Sequence, residues 1–223
     1  PFYHFALAKW IKADAPLAFL NLGGVGNITW VDPASDDPAD PDALLAFDTG
    51  PANAPMNDLM MQRQGVGYDK DGALAAKGKI DTTILDRFSD HPYFARPAPK
   101  SLDRDAFSDL VRDVSGLADA DALATLVQAV VQSVVQAVQH CRIAPSQLLV
   151  SGGGRHNKTV MTGLAQALDC DVKPVEDVGL DGDMLEAQAF GYLAVRAARG
   201  LSLSSPQTTG VPRPVTGGKI AKP

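Results

Sequence analysis

The sequence predicts an α/β fold on three observations. Short apolar runs rich in β-branched residues end at glycine clusters; segments with apolar residues every three or four positions follow them; and the two kinds alternate along most of the chain. With 223 residues, 45% of them apolar, the chain is long enough to bury one substantial core. One domain is expected over residues 1–200. The remainder, 201–223, is dominated by Pro, Thr, Gly and Ser and is expected to be a partly ordered tail. No internal repeat is visible.

The elements follow in order. Phe2, Phe5, Ala6, Trp10 and Ile11 lie near helical spacing, so residues 2–12 are expected to form a helix leading into a buried strand over 17–22. Gly23 and Gly24 interrupt the apolar run, and residues 25–31 favour a second strand, which makes a tight hairpin. Residues 32–42 hold three prolines and five aspartates with no apolar period, and are expected to be an exposed loop at a sheet edge. A short strand over 44–47 ends at Asp48-Thr49-Gly50-Pro51, and Met56, Leu59 and Met60 begin a helix. Residues 65–105 are mixed, with a short helix expected at 81–88 and a loop through Pro92, Pro97 and Pro99. The clearest period is Leu123, Leu126, Val127, Val130, Val131, Val134, Val135 and Val138, a long amphipathic helix over 119–140. After Pro145 come a strand at 148–150, a glycine stop at Gly152, Gly153 and Gly154, a helix over 157–168, a strand over 172–175 and a helix over 183–199.

Bulk charge narrows the partners. A net charge of −6 supplies no broad positive field for a phosphate backbone or an anionic membrane surface, so neither nucleic acid nor membrane is an expected partner. Apolar stretches such as 126–131 fall far short of the roughly 20 residues needed to span a bilayer, and the start carries no signal-peptide pattern; a soluble, cytoplasmic protein is expected. Cys141 and Cys170 follow no CxxC spacing, which suits buried reduced thiols. The chain begins with Pro1 rather than Met, the mark expected of a processed or excised piece.

Four constellations have the composition of a ligand site. In the first, Gly23, Gly24 and Gly26 remove side chains where backbone amides can approach an anion, with Asn27 and Thr29 beside them; an ordinary hairpin turn explains the same glycines. In the second, Asp48, Thr49 and Asn53, followed by Asn57 and Asp58, suit a metal-bound water or a substrate hydroxyl, or else cap the next helix. In the third, Gly152, Gly153 and Gly154 precede Arg155, His156 and Asn157 between a strand and a helix, where a flat ligand can lie on bare backbone and a phosphate can meet free amides. This is neither a Walker A nor a GxGxxG pattern, and His156 has no second ligand at metal spacing. Asp69 and Asp71 read as a solvated loop. In the fourth, Glu186 stands in the first turn of an apolar helix behind Asp183, either as a binding carboxylate or as a charge that complements the helix dipole.

Taken in order, LNLGGVGNIT, DTGPANAPMNDLM, PKSLDRDAF, VSGGGRHN and GDMLEAQAFGYLA resemble the anhydro-N-acetylmuramic acid kinases over residues 20–194. The opening PFYHFALAKW is similar to the stretch after that family's GQGAPL segment. The resemblance implies an actin-like ATPase (ribonuclease H-like) domain, with a mixed sheet flanked by helices, and a cleft that binds ATP with Mg2+. It implies ATP-dependent 6-phosphorylation of 1,6-anhydro-N-acetylmuramic acid with opening of the anhydro ring, in peptidoglycan recycling. It places Gly23, Gly24, Gly26 and Asn27 in a second phosphate-binding hairpin, and Gly152, Gly153, Gly154 and Asn157 in the adenosine-binding motif. Asp48, Thr49 and Asn53 would lie near phosphates and magnesium, and Glu186 near the sugar. Asp103 and Ala52 stand where the family commonly has glycine.

The family's GTSMDG-type hairpin and the base aspartate ahead of GQGAPL do not occur in these 223 residues. No catalytic base is therefore assigned here, and the chain alone is expected to lack kinase activity. A non-catalytic nucleotide-binding or assembly module is the alternative. A surface left bare by an absent lobe would favour a homodimer.

Overall fold

The computed structural model describes residues 1–219. At its centre is one five-stranded mixed sheet in the order β3-β2-β1-β4-β5. The strands are β1 (Leu17–Leu22), β2 (Val25–Val31), β3 (Leu44–Pro51), β4 (Gln147–Ser151) and β5 (Asp171–Pro174). The first three form antiparallel pairs, whereas β4 and β5 run parallel to β1. A two-residue connection allows β1 and β2 only a hairpin, while a parallel partner needs a long crossover, and the chain between β3 and β4 supplies it with helices.

Side-chain alternation divides the interior into two cores. On β1, Ala18, Leu20 and Leu22 enter the larger core and Leu17 and Phe19 the smaller; on β4, Leu148 and Val150 enter the larger and Leu149 the smaller. Both strands are nearly continuous in apolar residues because both of their faces are covered. The larger core is closed by α2 (Asn53–Gln64), α3 (Thr82–Ser89), α4 (Pro92–Ala95), α5 (Ser108–Asp113), α6 (Asp119–Val138) and α7 (Lys158–Ala167). The smaller is closed by α1 (Phe2–Trp10) and α8 (Leu185–Ala198), through Phe2, Phe5 and Leu7 on the first and Leu185 on the second. By length and composition α6 is sufficient to cross a bilayer, but 67% of its most apolar window is buried inside the protein. It is the core helix.

Several boundaries differ from the sequence expectation. The α2 helix begins at Asn53 rather than near Met56, because the amides of Ala52 and Ala54 donate to Gly24 O and that of Asn53 to Gly23 O, at 3.2, 3.2 and 2.9 Å. Tertiary hydrogen bonds, not apolar period, set that start. β3 continues past residue 47 to Pro51, since β2 goes on pairing with it through Asn27↔Asp48, Gly26↔Gly50 and Val25↔Pro51 with a bulge between Gly26 and Asn27. Asp48 therefore sits within a strand, not at its end. Pro92 opens α4 where a loop was expected; proline at the first helical turn loses no hydrogen bond, and His91 Nδ1 accepts from the Tyr93 amide at 3.2 Å. Where composition reads as a partly ordered tail, Ser204 bridges Val215, and α9 (Pro206–Thr209) follows a reciprocal cap between Ser205 and Thr208, both buried. Hydroxyls satisfy the backbone there without large apolar side chains. Residues 220–223 of that segment lie outside the described residues.

The β3–α6 contact is close enough to require glycine. A Cβ at Gly50 would stand 2.3 Å from Ser133 Oγ and 2.7 Å from Ser133 Cβ. We expect Gly50→Ala to lower stability by about 1–3 kcal/mol through overpacking and the melting temperature by several degrees. Thermal unfolding followed by circular dichroism measures this, and an unchanged melting temperature would show that β3 and α6 do not approach so closely.

Candidate functional site

The register brings the ends of β1, β3 and β4 and the start of β2 to one side of the sheet. Asn21 pairs with Ser151, Leu22 with Gly26 and Val25 with Pro51. Crevices beyond the carboxyl ends of strands are where open α/β sheets place ligands. All three glycine-bearing turns expected from the sequence meet here.

The turn after β4 is pressed against β1. Gly152 adopts φ 73° and ψ 175°, a conformation open in practice only to glycine. A Cβ there would lie 2.4 Å from Asn21 Oδ1, and one at Gly154 would lie 2.4 Å from Leu22 Cβ. Asn53 Nδ2 reaches across to donate to Leu22 O at 2.7 Å. Gly153, by contrast, is exposed. Arg155, which sequence reasoning did not single out, fastens the turn: its buried guanidinium donates to Gly152 O at 3.0 Å, to Glu176 at 2.8 Å and to Asp183 at 2.7 Å. That last bond ties the loop before α8 to the glycine turn. Arg155 was legible in one respect only, as the lone charge directly behind three glycines.

Gly23 and Gly24 spend their carbonyls on the start of α2, as described above. Gly26 is needed for close packing, since a Cβ there would meet Thr49 Oγ1 at 2.5 Å. Thr49 itself is only 2% exposed, and its hydroxyl has no hydrogen-bond partner; it lines neither cavity described next. Asn157 turns its side-chain oxygen to the α7 start and accepts from the amides of Thr159 and Val160, both at 3.1 Å. It is the helix cap.

Two cavities hold the expected residues, one beyond the strand ends and one along the outer strands β2 and β3. The first, about 450 Å³, is lined by Asn53, Met56 and Asn57 of α2, by Gly153, His156 and Asn157, and by residues 68–71. The second, about 440 Å³, is lined by Asn27, Thr29, Asp48, Lys100 and Ser101 with His4 of α1 and Thr208 of α9. The expected phosphate and adenosine residues are thus divided: Asn53, Gly153 and Asn157 border one cavity, Asn27 and Asp48 the other. Glu186 is exposed in the first turn of α8 and borders neither. Asp58 pairs with Arg104 at 2.7 Å on the surface and takes no part.

Asp48 is held on every side but one. Its amide donates to Lys100 O at 2.9 Å, its carbonyl accepts from Tyr93 Oη at 2.5 Å, and its Oδ2 accepts from the Leu102 amide at 2.8 Å. Burial raises its carboxyl above the usual range, opposed by the Leu102 hydrogen bond. Lys100 makes the bracing segment rigid. Its buried ammonium donates to Tyr93 O at 3.2 Å and Phe94 O at 3.0 Å and stands 4.7 Å from the Tyr93 ring centre; burial, then Arg96, lower its pKa to about 8. Asp103, where the resemblance leads one to expect glycine, accepts from the Asp105 amide at 3.0 Å and closes a surface turn. Among the described residues, no group of three His, Cys, Asp or Glu could hold a metal.

Comparison with known proteins assigns this architecture. The family model "Anhydro-N-acetylmuramic acid kinase" matches residues 1–223. The chain belongs to that family. It is 59% identical, over all of its length, to the anhydro-N-acetylmuramic acid kinase of Roseobacter denitrificans, 59% of which it covers. It is also 59% identical to anhydro-N-acetylmuramic acid kinase 1 of a Jannaschia species, covering 60% of that protein, and 53% identical to the Rhodospirillum rubrum kinase over 98% of this chain and 56% of that one. The chain thus spans about three fifths of the length of these relatives. The five-stranded mixed sheet flanked by helices is the α/β class expected from the sequence. An activator of 2-hydroxyisocaproyl-CoA dehydratase from Clostridium difficile, solved with bound ADPNP, matches at 14% identity and a TM-score of 0.49, covering 92% of this chain and 70% of that one. That likeness is too distant to bear on what this chain binds.

The raised Asp48 carboxyl has a measurable sign. The folded protein holds this proton more tightly than the unfolded chain, so the contribution of this group to stability is fullest at low pH. It falls as pH rises from the unfolded value near 3.8 through the higher folded one. Asp48→Asn removes that component. In urea unfolding across a pH series, the wild type should lose stability relative to Asp48→Asn over this window; parallel curves would mean that the carboxyl is not desolvated.

Proposed function

We propose that this chain is the nucleotide-binding part of a kinase that phosphorylates 1,6-anhydro-N-acetylmuramic acid at O6 at the expense of ATP, with hydrolytic opening of the anhydro ring, in cell-wall recycling. The observation that carries the reading is the turn at Gly152, Gly153 and Gly154. It is forced against the end of β1, locked by Arg155 and left bare at Gly153 over a cavity large enough for a nucleoside. In this reading Gly152, Gly153, Gly154 and Asn157 hold the adenosine, and Gly23, Gly24, Gly26 and Asn27 form the second phosphate hairpin. Asn53 joins the two, Asp48 faces the phosphates, and Glu186 faces the sugar from α8. Thr49 supports the hairpin from behind rather than touching ligand.

Magnesium fits this donor set as an ion held chiefly by ATP oxygens and water, with one protein carboxylate to orient that water. Asp48 suits the task, since Oδ2 is committed to the Leu102 amide and Oδ1 is left for the cavity side. When bound, the ion would neutralise charge on the transferring phosphoryl group. In the reaction, water attacks C1, its proton passes to a base, the C1–O6 bond breaks, and O6 takes the γ-phosphoryl group with ADP as leaving group. The family pattern places that base ahead of GQGAPL, outside these 223 residues. The full-length protein should therefore phosphorylate the anhydro sugar in the presence of magnesium-ATP while this chain alone does not. Assaying both side by side decides it: turnover by neither would favour a non-catalytic module, and turnover by this chain alone would place the base within it.

The outer face of α8 supports a second part of the proposal. Ala187, Phe190, Gly191, Ala194 and Val195 recur at helical spacing, all exposed and uncharged, with Phe190 67% exposed. We propose that copies of this chain associate through that face as a homodimer. Light scattering should show a dimer that Phe190→Glu dissociates, whereas a concentration-independent monomer would refute it.

A further inference from the structure

We infer that residues 68–71, which wall the first cavity, recognise the base of the bound nucleotide, with Tyr68 as the specificity-determining side chain. This rests on the ATP-binding reading above and adds to it a wall that neither the glycine turn nor the hairpin supplies.

The loop is built to be rigid. Asp69 turns both carboxylate oxygens to the chain ahead of it, accepting from the Leu74 and Ala75 amides at 2.9 Å each. Asp71 and Gly72 both have positive φ, 59° and 70°. Gly72 fits only as glycine: a Cβ there would lie 2.2 Å from Asn157 Oδ1 and 2.6 Å from Thr159 Oγ1, and Thr159 Oγ1 donates to Gly72 O at 2.8 Å. The loop is therefore docked on the cap of α7, the helix that leaves the glycine turn. Its position relative to Gly153 is fixed.

Tyr68 is the part of this loop that structure does not use. It is 62% exposed, borders the cavity, and makes no hydrogen bond or ring contact among the described residues. Met56 gives the cavity an apolar, buried side, and Asn57 adds an amide. Flat aromatic surface, a thioether and amides suit a heterocyclic base, which stacks and hydrogen-bonds at its edge.

The test uses the full-length protein and three forms, wild type, Tyr68→Ala and Tyr68→Phe, titrated by calorimetry with ATP and with inorganic tripolyphosphate. Loss of one base-stacking ring should weaken ATP binding by about tenfold in Tyr68→Ala, leave tripolyphosphate binding unchanged, and spare Tyr68→Phe. Photolabelling with 8-azido-ATP should modify the peptide containing residues 68–71. The inference is overturned if Tyr68→Ala binds ATP as the wild type does, if it weakens both ligands equally, or if the label falls wholly elsewhere. A wild type that binds tripolyphosphate but shows no preference for ATP overturns it alone, whereas a wild type that binds neither overturns the ATP reading as well.

Discussion

The close approach of the Gly152–Gly154 turn to the end of β1 is the constraint from which the rest of the site follows. Parallel pairing of β1 with β4 brings the two strand ends side by side, and the turn can leave β4 only by passing over Asn21 and Leu22. No side chain fits at Gly152 or Gly154. Once the turn is so placed, Asn53 bridges from α2 to Leu22 O, and Arg155 fixes the turn to Glu176 and Asp183. The first cavity is the space that these contacts leave between α2, the turn and residues 68–71.

A second constraint acts at Asp48, where the fold accepts an unfavourable desolvation. A carboxylate in the ordinary interior would be replaced or paired with a cation, yet the Asp48 carboxylate accepts from the Leu102 amide and has no ion pair among the described residues. Lys100, four residues beyond Arg96, is nearby in the fold but is committed to the carbonyls of α4. Its charge is spent on bracing the segment that supplies the Leu102 amide. Groups held against their solvation preference are characteristic of working sites rather than of cores.

Of the architecture, the strands and long helices were legible because each carries its own period. β1 and β4 read as buried strands from continuous apolar runs, and α6 from valines and leucines at three- and four-residue spacing. Where the sequence reading failed, the determinant lay elsewhere in the chain. The start of α2 is set by Gly23 and Gly24 carbonyls, and the extension of β3 through Asp48 by its pairing with β2. Within the tail expected to be partly ordered, the segment around Ser205 is held by hydroxyl caps.

For the candidate site, residue identity determined which groups are available: the glycine clusters, Asn27, Asp48, Asn53, Asn157 and Glu186 were all visible as motifs, and their order carried the family. Only the tertiary structure decided what each does. It turned Asn157 into a cap, Thr49 into a buried packing group and Arg155 into a fastener, and it divided the motifs between two cavities. The physical reason is that spacing along a chain fixes local backbone form, whereas hydrogen-bond partners and desolvation depend on what the fold brings alongside from distant positions.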